Sequence, residues 1–572
     1  MKKLINAVGD VVGEALDGLT LTSAGIARLE GSTTAVRSDV EAVRDAGQVA
    51  ILSGGGAGHE PAHAGYVGRG MLTGAVAGEV FTSPSVDAVL DAIRAIASPG
   101  GVLLIVKNYT GDRLNFGLAA ELARSEGIDV ATVVVADDVA LAAEAGAGRR
   151  GLAGTVLVHK VAGAAAEAGL PLAEVTARAQ RVADTIGTMG LALSPCTVPA
   201  AGRPGFMLGA DEIEWGLGIH GEPGIERATL QPARDVVDRL LGAIVSDRGL
   251  GAEDRIALLV NGLGATPPME LSIMAAAAVH SLGRRGIVVS RVWAGNFLTA
   301  LDMAGCSLTV LPVDDEVLAA LDAPTTAPAW PQTVSAVAGS IVAAPPAETP
   351  ESGTLSADDP LRQALEAVAE ALISVRDELT ELDRQVGDGD LGISLARGAA
   401  AVLAECPAYP GADGPAAVLR ATSATVRRSV GGTSGPLYAI LLLRAATGWE
   451  VADDDAKARG VPAGAPAWAA ALQGAVDGVR EAGGAKVGDC TMVDALAPAA
   501  QAFGAALDDG ASARLALSAA VEAATAGAAA TAGIRARLGR SSYLGDRVLG
   551  HPDPGAQAVA LWLSAIAGVF HA

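Results

Sequence analysis

The stretch Gln48–Gly70, QVAILSGGGAGHEPAHAGYVGRG, carries the first decision about the fold. A short β-branched apolar run gives way to three consecutive glycines and then to a segment rich in His, Pro and Gly. A run of this length that ends in glycine reads as a buried strand entering a loop, not as a helix. The pattern recurs in GVLLIVKNY (101–109), DVATVVVADD (129–138), RIALLVNGLG (255–264), GIVVSRVWAG (286–295) and SLTVLPVDD (307–315), with amphipathic segments between them. Strands alternating with helices predict an α/β domain. About 330 residues exceed one comfortable core, so two lobes are expected, meeting near residues 180–195.

Beyond residue 330 the composition changes. Pro331–Pro360 is dominated in its second part by Pro, Ser, Thr, Glu and small residues, as in a solvated linker. This places an N-terminal domain at 1–332, a linker at 333–357 and a C-terminal domain at 358–572. The last part has almost no β-branched runs. Its Ala- and Leu-rich segments repeat apolar positions every three or four residues, which predicts an all-α bundle with its functional groups in loops.

The 572 residues hold 41 Lys and Arg against 64 Asp and Glu, a net charge of -23. That sign opposes binding to nucleic acid, and 3% aromatic residues leave little for base stacking. Cys196, Cys306, Cys406 and Cys490 form no CxxC pair, so reduced thiols are expected. Asp10 and Glu14 interrupt the start before any apolar targeting segment forms, and no charge-free apolar run of bilayer length occurs. A soluble, cytoplasmic chain without membrane partners is the expectation.

Several loops hold groups able to do chemistry. In Ser53–Gly70 the glycines permit close backbone approach to a ligand, with His59 next to them; a hydrogen-bonded core histidine is the other reading. VKNYTGDRLNFG (106–117) ends a strand with Lys107, Asn108, Asp112 and Asn115, and strand C-termini are where α/β sheets bind ligands. His220 lies between Gly218 and Gly221 in an uncrowded loop, from which it could reach a cleft; on spacing alone a structural loop histidine is the favoured reading. In LDRQVGDGDLGISLARG (382–398), Asp383, Asp388 and Asp390 can converge on a hard cation if the chain bends at Gly387 and Gly389. A capping loop with solvated aspartates is the alternative. GGTSGPLY (431–438), GDCTMVDAL (488–496) and GRSSYLGDRVLGHPDPGA (539–556) read as helix caps or anion-binding loops. No Walker A sequence is present.

Taken in order, these strings resemble the single-chain, ATP-dependent dihydroxyacetone kinases over nearly the whole length. GGGAGHEPAHAGY, FTSPS, KNYTGDRLNF and SPCTVPAAGRPGF…GLGIHGEPG are similar to the substrate-binding K domain. GDGD, GGTSGPLY, GDCTMVDAL and GRSSYLGDRVLGHPDPGA are similar to the nucleotide-binding L domain. The resemblance implies an α/β, two-lobed domain followed by an eight-helix barrel. It implies a hemiaminal between His220 and the substrate carbonyl, with His59 and Asp112 as acid/base and orienting groups. Gly56, Ser83 and Lys107 would contact substrate. Asp383, Asp388 and Asp390 would hold two magnesium ions on ATP. Gly432, Thr433, Ser434, Thr491, Met492, Arg540, Asp553 and Gly555 would form the nucleotide site.

A homodimer in which the L domain caps the partner's K domain is also implied. Erythrulose or glyceraldehyde are alternative substrates, and cleavage of FAD to a cyclic flavin nucleotide an alternative activity. The sequence departs from the family pattern at Leu391, commonly His or Cys, and at Ile393, commonly Thr. Neither replaces a carboxylate, so magnesium binding is expected to survive.

Overall fold

A computed structural model describes residues 2–141, 148–331, 339, 341–345 and 353–571. The chain divides into two compact units, residues 1–341 and 342–572. Much of the expected linker 333–357 lies outside the described residues.

The first unit contains two six-stranded sheets. Sheet one is built from β1 (Ile26–Arg28), β2 (Thr34–Arg37), β3 (Ala50–Ala57), β4 (Gly74–Val80), β5 (Val102–Lys107) and β6 (Val130–Val135) in the order β1-β2-β4-β3-β5-β6. Strands β4, β3, β5 and β6 run parallel, while β1 and β2 add an antiparallel edge. Sheet two holds β7 (Gly187–Ala192), β8 (Glu212–Trp215), β9 (Glu226–Thr229), β10 (Arg255–Gly262), β11 (Val288–Gly295) and β12 (Gly305–Pro312) in the order β11-β10-β12-β7-β8-β9. Its only parallel pair among the described residues is β10 with β11.

All six apolar runs predicted as strands are strands, and four of them, β3, β5, β10 and β12, are buried almost throughout. Strand β3 is buried at every position, as is β5. Helix Thr155–Glu167 buries eleven of its thirteen residues, including His159 and Lys160, because a single core cluster joins it to both sheets. Two further clusters cover the outer faces. One packs Val86–Ile96 and Thr110–Ser125 on sheet one; the other packs Ala233–Arg248 and Pro268–Arg284 on sheet two.

In the second unit the described residues form nine α-helices. Eight of them close a ring: Pro360–Ser374 packs on both Leu391–Glu405 and Pro554–His571, and the others follow in chain order. The ninth, Arg376–Val386, continues from Ser374 after one intervening residue and carries Asp383. The ring encloses an apolar cavity of about 800 Å³. Two segments, Leu391–Ala408 and Ala513–Gly533, are long and apolar enough to cross a bilayer by composition. Each carries two charges, Arg397 with Glu405 and Arg514 with Glu522, so neither is a charge-free run. All four cysteines are buried and unpaired.

Candidate functional site

The end of β3 and the turn after β4 approach so closely that a Cβ on Gly56 would lie 2.5 Å from the Thr82 nitrogen. Glycine is required there by contact, which makes the GGG run first of all a packing device. The chain then turns through Gly58–Glu60, and backbone bonds zip this segment to the loop after β11. Thr299 N–H donates to the His59 carbonyl at 3.1 Å, and Leu301 N–H to that of Gly58 at 2.8 Å. Buried Asn261 fixes the partner loop by accepting from Phe297 and Leu298 N–H and donating to the Leu298 carbonyl. The two sheets thus meet at His59.

His59 is fully buried and stacks on Phe81. Its Nδ1 lies 2.7 Å from the Thr299 carbonyl and its Nε2 3.0 Å from Nε2 of His220. Burial, followed by the Lys107 charge and His220, holds it well below the usual imidazole range. His220 reaches it from a tight loop in which Glu222 folds back. Glu222 accepts from the His220 backbone N–H at 3.0 Å and lies 2.8 Å from its Nδ1. A Cβ on Gly218 would sit 2.0 Å from Glu222 Oε2, so only glycine admits this return. Burial raises the Glu222 carboxyl, but the His220 hydrogen bond and charge and backbone donors outweigh it and hold it at about 2. Arg150 braces the loop, donating to the Gly216 carbonyl and pairing with Asp138.

Lys107 closes β5 and is fully buried, with no hydrogen-bond partner for its Nζ. Burial lowers its pKa against the opposing pull of Asp112, Glu222, Asp137 and Glu60. Asp112, buried on the first turn of Thr110–Ser125, accepts from the Ser83 hydroxyl. The Tyr109 ring lies 4.7 Å from that of His220, and its buried hydroxyl lacks a partner. The six first-unit candidates, Gly56, His59, Ser83, Lys107, Asp112 and His220, therefore share one locality. Sequence reasoning did not single out Glu222, Thr299, Phe81 or Tyr109. Glu222 stood inside the quoted GIHGEPG, and Tyr109 inside KNYTGD.

In the second unit, helix Arg376–Val386 ends at Gly387 and the chain bends through Gly389, whose φ is +75°. The bend brings one oxygen each from Asp383, Asp388 and Asp390 within 4.8 Å of one another. Asp383 also organises the loop, accepting from Asp390 N–H at 2.9 Å and Leu391 N–H at 3.2 Å. Arg540 pairs with Asp388, an internal cation standing against the carboxylate group. Three converging carboxylates that attract a guanidinium suit a hard divalent cation bound through oxygen.

The flanking nucleotide candidates fall on helix starts. Thr491 and Met492 precede Val493–Asp508; Asp553 caps Pro554–His571 by accepting from Ala556 N–H at 2.8 Å; Gly555 packs on Met492. Burial, then Asp494 and Asp383, pushes Asp553 up to about 7. Gly432, Thr433 and Ser434 stand at the start of Ser434–Ala458, where bonds from Gly435 and Leu437 N–H tie the loop to its own helix.

Asp494, not predicted, accepts from Gly488 N–H at 2.5 Å and Thr491 N–H at 2.8 Å and so shapes the GDCT loop. Asp494→Ala leaves both donors without their partner. It is expected to destabilise the second unit by about 1–3 kcal/mol, read as a lower Tm or chemical midpoint.

A buried imidazole pair on an α/β unit and a carboxylate loop on a helical unit stand in one chain, the two halves that a two-domain small-molecule kinase combines. Residues 17–329 match the Dak1 domain and 385–568 the DAK2 domain. The chain belongs to the dihydroxyacetone kinase family and carries both of its domains in one polypeptide. It is 43% identical to triokinase/FMN cyclase of Mus musculus, covering 99% of this chain and 98% of that one. It is 38% identical to D-erythrulose kinase of Mycolicibacterium smegmatis, covering 91% of each. The dihydroxyacetone kinase of C. freundii in complex with AMP-PNP and Mg2+ superposes with a TM-score of 0.64 at 34% identity, over 99% of both chains.

Proposed function

We propose that the chain transfers the γ-phosphoryl group of ATP to a terminal hydroxyl of dihydroxyacetone, holding the substrate by a hemiaminal on His220. The observation that carries this reading is the setting of His220. Its Nδ1 is tied to Glu222, and its Nε2 meets His59 beside Lys107 and Tyr109, whose buried polar atoms have no protein partner. An imidazole nitrogen that attacks a carbonyl carbon selects ketones and aldehydes over glycerol. His59 and Asp112 then serve as acid/base groups, with Asp112 oriented by Ser83 to accept the proton of the reacting hydroxyl. Lys107 supplies a donor to a substrate oxygen, with Gly56 and Ser83 as further substrate contacts.

Asp383, Asp388 and Asp390 would hold two magnesium ions, with Gly432, Thr433, Ser434, Thr491, Met492, Arg540, Asp553 and Gly555 around the nucleotide. Bound Mg-ATP supplies the phosphoryl group and the positive charge that stabilises its transfer. Domain limits of 1–332 and 358–572, a cytoplasmic location and a homodimer whose L domain caps the partner's K domain complete the proposal.

The test is a kcat/KM series with the purified full chain, Mg2+ and ATP and no added phosphoprotein. Dihydroxyacetone should turn over, erythrulose and glyceraldehyde measure the tolerance for other short carbonyl sugars, and glycerol should be rejected. Glycerol turnover equal to that of dihydroxyacetone would overturn the reading. A second reaction, cleavage of FAD to a cyclic flavin nucleotide, is favoured by the likeness to the mouse triokinase/FMN cyclase. It would require the carboxylate loop and not His220, so FAD with divalent metal and the His220→Ala variant separates the two activities.

A further inference from the structure

Four groups form one line through the first-unit site: the Thr299 carbonyl, His59, His220 and the Glu222 carboxylate. The ends of the line dictate where protons sit. A carbonyl oxygen only accepts, so Nδ1 of His59 must carry hydrogen at 2.7 Å from it. Glu222 already accepts the His220 backbone N–H, and as an anion it takes a second hydrogen from Nδ1 of His220 at 2.8 Å. With both Nδ1 atoms protonated, neutral rings would point two bare lone pairs at each other across the 3.0 Å between the Nε2 atoms. That contact is repulsive unless a proton lies in it.

We propose that His59 and His220 rest with a single proton held between their two Nε2 atoms, and that Glu222 is the positioning residue that keeps it there. This rests on the hemiaminal reading above and deepens it. The charged and titratable groups acting on this locality bear on the choice of Glu222. Lys107 on β5, Asp112 on the following helix, Glu60 and His63 in the loop after β3, Tyr109, Asp137, Asp138 and Arg150 beyond β6, His159 on the helix after them and Cys196 after β7 all surround it. Lys107 disfavours a charge on His59, Asp112 is taken by Ser83, and Asp138 by Arg150. Glu222 is the anion hydrogen-bonded to the pair. The proton therefore belongs to the His220 side, where an imidazolium faces a carboxylate.

The chemistry then balances without creating charge. As a carbonyl substrate enters, the Nε2 proton of His220 moves to Nε2 of His59. The freed lone pair of His220 forms the N–C bond while the C=O π pair goes to oxygen, and His59 gives that oxygen the proton. Before the step His220 is an imidazolium with hydrogen at Nε2; afterwards it is one with carbon there, still paired with Glu222, and His59 is neutral in both states.

Substrate binding accordingly takes up no proton from solvent while the pair is loaded. At pH values above the pair's titration it must take up one, and affinity falls by about tenfold per pH unit. Glu222→Gln takes away the anion that pairs with the imidazolium, so this alkaline fall should begin at lower pH.

Two measurements on the full chain test this. In the ligand-free, unaltered protein labelled with 15N-histidine, a deshielded exchangeable proton should correlate with Nε2 of His59, His220 or both at neutral pH. Two bare Nε2 nitrogens would overturn the proposal, and this readout holds even if a variant fails to fold. Second, dihydroxyacetone affinity against pH without nucleotide should show the alkaline limb shifted acidward in Glu222→Gln. A folded variant whose profile is merely scaled down, with the limb unmoved, would also overturn it. Failure of the unaltered chain to phosphorylate dihydroxyacetone would instead sink the kinase reading, since the resting proton is observed without substrate.

Discussion

Asp388→Ala will lower turnover by several orders of magnitude while leaving the fold intact. Asp388 is exposed at the bend after helix Arg376–Val386, and its recorded partner is Arg540, so removing it leaves no buried group stranded. Asp383 differs: it is buried and accepts two backbone N–H groups of the loop, and its loss would confound folding with function. With Asp388 gone, two carboxylates remain to face a divalent cation and a polyanionic nucleotide. Most of the catalysis of phosphoryl transfer comes from positioning and charge neutralisation by metal, so both fall together. The checks are Mg-dependent ATP binding, kcat, and a melting curve that stays within a degree or two of the unaltered chain. Full activity with normal magnesium dependence would mean that the trio is a solvated capping loop.

The aspartate loop was legible because its three carboxylates lie within eight residues and its glycines announce the bend. The helix that follows it, Leu391–Glu405, was not singled out, and its glycines are buried contact points: a Cβ on Gly392 would lie 2.1 Å from the Arg376 carbonyl, and one on Gly398 2.2 Å from Val430. Four of the six predicted strands, β3, β5, β10 and β12, are buried on both faces and so read as unbroken apolar runs, while β6 and β11 are part-exposed sheet edges made legible by their β-branched residues. Strands β8 and β9 escaped because EIEW and ERAT form an antiparallel sheet edge rich in charged residues; β4, GAVAGEV, because close packing on β3 demands small residues. In the first-unit site the limit was distance along the chain. His59 and His220 are 161 residues apart, so no spacing rule joins them and only the family resemblance did. Thr299 contributes a backbone carbonyl, for which any residue type serves.

His220→Ala should reduce kcat/KM for dihydroxyacetone on the order of a hundredfold or more, the scale of losing the orientation of a reacting group, and should narrow discrimination against glycerol by a similar factor. On the proposed reading the substitution removes the nitrogen that would distinguish a carbonyl carbon from a carbinol, but leaves Asp112, Ser83 and Lys107 to meet the hydroxyl and oxygen atoms common to both compounds. Dihydroxyacetone then becomes a non-covalent ligand that offers two hydroxyls and a third oxygen at the positions where glycerol carries its three, and the two substrates converge. The change is local: His220 is partly exposed, its backbone N–H still donates to Glu222, and the Arg150 brace on Gly216 is untouched. His59→Ala makes the contrasting case. It removes the proposed acid/base partner and an imidazole stacked on Phe81 while keeping the proposed nucleophile, so activity should fall with selectivity retained. Comparing kcat/KM for the two substrates in both variants separates capture of the carbonyl from proton transfer, and a His220→Ala enzyme that still excludes glycerol would show that selectivity resides in the shape of the cleft.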